Sequence, residues 1–95
     1  MKVIWTEPAV HDLENIQTFI AKDSSRYASI LIEKIISSSE NLEQFPKLGH
    51  IVPEVSDDSI REVFVHPSRL LYRIKEHHLE ILAILHQARD SKKYF

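Results

Sequence analysis

Between Ile60 and His86 the chain passes three times through β-prone apolar residues, with only two or three residues between one run and the next. The runs are Ile60–His66, Arg69–Lys75 and Leu79–His86, and the breaks are Pro67-Ser68 and Glu76–His78. Connections this short fit two consecutive antiparallel hairpins, because a parallel return needs about a dozen residues or more. More than a quarter of the chain is therefore expected to form a meander, and the rest must cover it.

The upstream segment supplies that cover. Lys2-Val3-Ile4-Trp5 reads as a first strand. Thr6 caps a helix with Glu7 and Pro8 in its first turn, where a carboxylate meets the dipole and proline's missing N–H costs nothing. Ala9, Leu13, Ile16 and Ile20 fall at helical spacing. Asp23-Ser24-Ser25 ends this helix and caps a second, lined by Ala28, Leu31, Ile35 and Leu42, with Ile32 and Ile36 widening the stripe enough to suggest cover on more than one side. The short connection makes an antiparallel helix hairpin. Residues 45–58 read as a loop broken by Pro46, Gly49 and Pro53 and anchored by Phe45, Leu48 and Ile51, and residues from Gln87 on read as a polar tail. The expectation is one domain over 1–95, of the α+β class: β-α-α-β-β-β, a helix hairpin packed on a mostly antiparallel sheet.

Composition narrows the chemistry. The 95 residues include no Cys, which removes disulfides, thiol nucleophiles and zinc–thiolate sites. His77-His78 point apart in a strand and complete no ligand set, so no metal and no cofactor is expected. No run approaches the ~20 apolar residues of a membrane span. The sequence turns acidic within seven residues of Met1, unlike a secretory signal, and a cytoplasmic location is expected. The net charge of −2 hides a split: residues 1–60 hold five basic and ten acidic groups, residues 61–95 seven basic and four acidic. Arginine suits bidentate recognition of phosphate or carboxylate, so the basic part suggests an anionic partner.

Alternation places Leu70, Tyr72 and Ile74 toward the helices and Arg69, Leu71, Arg73 and Lys75 on the open face. A Lys75–Glu80 cross-strand pair would set Arg69 opposite His86, and a Pro67-Ser68 turn would set Glu62 opposite Arg73 and Phe64 opposite Leu71. The open face would then mix Arg69, Arg73, His86 and Glu62 with Phe64, Leu71, Leu82 and Ile84, which is the composition of a partner surface unless the chain's own tail covers it. On this reading Phe64, Leu71, Leu82, Ile84 and Arg89 bind a partner.

The segments WTEPAVHDLENIQTFI, NLEQFPKLGHIVPE and IREVFVHPSRLLYRIKEHHLEILAILHQARD resemble, in order and spacing, the RelE/ParE superfamily of toxins from type II toxin–antitoxin systems. The REV…HP…LLYRI…ILHQAR pattern is closer to ParE. The resemblance implies a toxin of the kind associated with plasmid stabilization and growth inhibition. It also implies binding to DNA gyrase and neutralisation by a cognate antitoxin in a hetero-oligomer. The alternative is a RelE-type, ribosome-dependent mRNA endonuclease, and only in that case is the chain an enzyme. Metal-free RNA cleavage needs an acid, a base and cations for the phosphorane charge. His86 would be acid or base, Glu54 a base, and Arg61, Arg69 and Arg73 the phosphate holders. A chain of net charge −2 is poorly suited to a phosphate-rich target. In a third reading the protein binds its partner and poisons nothing.

Overall fold

In a computed structural model, which describes residues 1–86, two helices pack on one face of a five-stranded sheet. The elements are β1 (Lys2–Trp5), α1 (Glu7–Ala21), α2 (Ser25–Asn41), β2 (His50–Ile51), β3 (Ile60–Val65), β4 (Ser68–Ile74) and β5 (His78–His86). The sheet order is β1-β5-β4-β3-β2. All neighbours are antiparallel except β1 and β5, where Lys2 lies beside His78 and Trp5 beside Ile81.

The helix boundaries follow from local chemistry. Thr6 Oγ1 accepts from the Ala9 N–H and donates to the Ile81 carbonyl at 2.6 Å, so the α1 cap also docks the helix to β5. Ser24 Oγ accepts from the Tyr27 N–H at 3.0 Å and starts α2. Ala9, Ile16, Ile20, Ala28, Leu31, Ile35 and Leu42 are buried and meet Leu70, Tyr72, Leu79, Ile81 and Ile84 from the sheet. Ile32 packs partly against this core, whereas Ile36 is exposed, so α2 is covered on one side only.

The hairpins depart from the expected registers. The β3–β4 turn is His66-Pro67, joined by a cis peptide bond, because Ser68 enters the strand opposite Val65. Glu62 therefore faces Leu71, and Phe64 faces Arg69. This is a shift of two residues, which leaves the faces unchanged. Between β4 and β5, Glu80 faces Arg73 instead of Lys75. The pairing then slips between Leu71 and Tyr72, opposite Ala83 and Ile81, leaving Leu82 as an extra residue on β5. This bulge inverts the faces of everything after it. Ile84 turns into the helix-side core, whereas Ala83 and Leu85 join Leu71 in a second buried cluster on the opposite face. His86 pairs with Ser68, not Arg69.

β5 also outruns β1, and α1 covers the backbone left over. Asp12 Oδ2 accepts from the Ile84 N–H at 3.0 Å, a contact that helical spacing alone did not single out.

The loop after α2 is anchored differently from expectation. Phe45, Leu48 and Ile51 are exposed, and Val52 is the buried residue. Its backbone is held by Tyr72, whose hydroxyl donates to the Pro46 carbonyl at 2.6 Å and accepts from the Gly49 N–H at 3.0 Å.

Candidate functional site

Two arginine environments lie on opposite sides of the sheet. Arg61 pairs across from Tyr72 on the helix-side parity, and its guanidinium donates to the Gly49 carbonyl at 2.9 Å and the Lys47 carbonyl at 3.4 Å. Its Nε is buried and has no hydrogen-bond partner. Arg61 is thus committed to the loop 46–49. Tyr72 lies in the same cluster. Burial raises the pKa of its hydroxyl, against the opposing effects of the Gly49 N–H and the Arg61 charge.

Arg69 lies on the other face. Its Nε donates to Glu62 Oε2 at 3.1 Å, Nη2 contacts the same oxygen, and Glu54 Oε2 sits 3.6 Å from Nη2. Glu62 is buried and Arg69 nearly so. The Phe64 ring lies under the guanidinium at 5.9 Å and itself contacts His50. Glu54 is brought in by the segment after β2, which is anchored by buried Val52, whose N–H donates to the Ile60 carbonyl at 3.4 Å. Farther along that segment, the Ser59 hydroxyl and N–H both donate to Asp57 and lower its pKa.

His86 stands apart from this network. Its Nδ1 is 3.1 Å from Ser68 Oγ, and its ring meets Phe19 of α1 edge-on at 6.3 Å. The expected constellation is therefore divided. Glu54 and Arg69 come together, with Glu62 as the carboxylate that joins them. Arg73 shares their face but lies opposite Ile60 and Glu80. Arg61 and His86 belong to the helix side. The bulge at Leu82 is the physical reason for the separation of His86 from Arg69.

The partner-binding residues also need correction. Phe64 is 59% exposed, Leu71 is fully buried, Leu82 is half-buried in the bulge and Ile84 belongs to the helix-side core. The open face is not bare: Leu71, Ala83 and Leu85 are sealed. Arg89 and the tail with Tyr94 and Phe95 lie outside the described residues. Among the described residues no cluster of three or more potential metal ligands occurs, and no helix is long and apolar enough to cross a membrane. Sequence reasoning overlooked the pins Gly49 and Tyr72. The available signal was the chain's single glycine, placed between Pro46 and a strand.

A helix hairpin laid over one face of a short, mostly antiparallel sheet, with Arg69, Glu62 and Glu54 joined on the other face, is an architecture of the α+β class. Residues 3–91 match the family described as ParE toxin of type II toxin-antitoxin system, parDE, and the chain belongs to that family. Among solved structures, it is similar to a chain of the chromosomal ParDE system from P. aeruginosa, at 22% identity and a TM-score of 0.75, covering 92% of this chain and 96% of that one. It is also similar to YoeB from a Staphylococcus aureus dimer, at 13% identity and a TM-score of 0.62, covering 92% and 97%. No curated protein sequence matches significantly.

Proposed function

We propose that this ParE-type toxin stops growth by binding a protein target, DNA gyrase, in the cytoplasm, and that a cognate antitoxin neutralises it in a hetero-oligomer. One observation favours this reading over RNA cleavage: the best-placed arginine for a phosphate is already engaged by Glu62 and Glu54, and His86 lies across the sheet from it. A phosphate would have to displace a buried carboxylate to reach Arg69, and the displaced charge would be left uncompensated. Antitoxin binding finds surface in the exposed Ile30 and Ile36 of α2 and in Phe64. Such apolar side chains suit a flexible segment that folds as it binds.

The test pairs two assays on the purified protein. Gyrase supercoiling is expected to be inhibited and ribosome-bound mRNA to stay intact, with His86→Ala behaving like the parent in both. Cleaved mRNA, with cleavage lost in His86→Ala, replaces this reading with the endonuclease one. Co-purification with a small protein encoded next to this one, weakened by Phe64→Glu or Ile36→Glu, tests the antitoxin half.

A further inference from the structure

The exposed apolar residues of the loop after α2 lie apart from the Arg69–Glu62–Glu54 network, on a backbone that makes four hydrogen bonds to the Tyr72 and Arg61 side chains. Met1, Phe45, Pro46, Lys47, Leu48 and Ile74 line an open groove of about 510 Å³. Phe45 is 60% and Leu48 55% exposed, which is costly for side chains of this size unless something covers them. The backbone beneath them is pinned by the Tyr72 hydroxyl at Pro46 and Gly49 and by the Arg61 guanidinium at Lys47 and Gly49. The Met1 amino group is fixed to the Glu43 carbonyl at 2.7 Å. The ordering entropy of this surface is therefore spent during folding, which favours docking later.

The charge at the groove selects the occupant. Its lining holds one ionisable side chain, Lys47, with the Met1 ammonium at the rim and no carboxylate in the lining, although acidic groups outnumber basic ones two to one over residues 1–60. A second copy docking by twofold symmetry would bring like charges together over the apolar centre. An anionic lipid surface would meet the acidic remainder of that region. We infer that the groove receives a segment of a partner protein that presents a large apolar side chain beside a carboxylate. This deepens the target-binding reading and rests on it for its biological role.

The test titrates the isotopically labelled full-length protein with two synthetic nonapeptides that share a central Leu-Phe. One is flanked by Asp and Glu, the other by Lys. The acidic peptide is expected to shift the Met1, Leu48 and Ile74 methyl signals saturably, and the basic peptide to bind about tenfold or more weakly. Lys47→Glu reverses the preference, and Leu48→Ser weakens the acidic peptide about tenfold while the rest of the spectrum stays in place. Equal shifts with both peptides, no shifts at millimolar peptide, or concentration-dependent movement of the same signals without peptide each overturn the inference, the last in favour of a second copy. Growth arrest on induction is scored separately. Arrest without peptide binding removes the inference alone, whereas peptide binding without arrest removes the toxin reading and leaves the docking site.

Discussion

At Gly49 one missing carbon decides the course of a loop. A Cβ there would stand 2.6 Å from the Glu62 carbonyl oxygen and 2.8 Å from the Tyr72 hydroxyl, and neither the strand backbone nor a fully buried ring can yield. Gly49→Ala should cost about 2 kcal/mol, read from denaturant unfolding. Tyr72→Phe removes the donor to Pro46 and the acceptor for Gly49, leaving two backbone groups unpaired, for a cost of about 1–3 kcal/mol. The same residue carries a pH signature. Burial raises its pKa, so the folded chain holds the phenolic proton longer than the unfolded chain does. Its contribution is intact below the ordinary tyrosine range and is lost as pH rises through about 10 and beyond. A stability–pH profile should fall on that alkaline limb, and the fall should be shallower in Tyr72→Phe.

Among the elements, β5 carries the largest gap between sequence and structure. The three runs, both helix caps and the helix-side residues Leu70 and Tyr72 were legible, because capping chemistry and period-two alternation are local. The register was not. The Lys75–Glu80 pair is good cross-strand chemistry, yet Arg73 offers the same charge two residues earlier, so pattern alone does not choose between them. The extra residue at Leu82 leaves no mark in a run of Ile, Leu and Ala, where every position is apolar and either face accepts it. The β3–β4 register brings Arg69 to Glu62, and the bulge on β5 turns His86 away from it. Arg69→Leu strands a buried carboxylate and should cost about 3–5 kcal/mol, whereas the double substitution with Glu62→Leu should recover most of that loss. A thermal-unfolding double-mutant cycle measures the difference. The two caps also differ. Ser24→Ala should cost about 1 kcal/mol. Thr6→Ala should cost more, because Thr6 also bonds the Ile81 carbonyl on β5.

For the molecule as a whole, the order of strands matters more than their number. β1 has one neighbour in the sheet, β5, so the first residues of the chain are held by nearly the last ones described. α1 is tied to β5 as well, through Thr6 and Asp12. A fragment ending at Lys75 keeps both helices and the β3–β4 hairpin but has no place for β1. It should give the poorly dispersed amide spectrum of an unfolded chain, in contrast to the full-length protein. Closing a loop of this length late is also slow compared with forming the hairpins. On the ribosome, the strand made first therefore waits, unpaired, until β5 has emerged to clasp it, and whatever the finished fold does begins only after that delay.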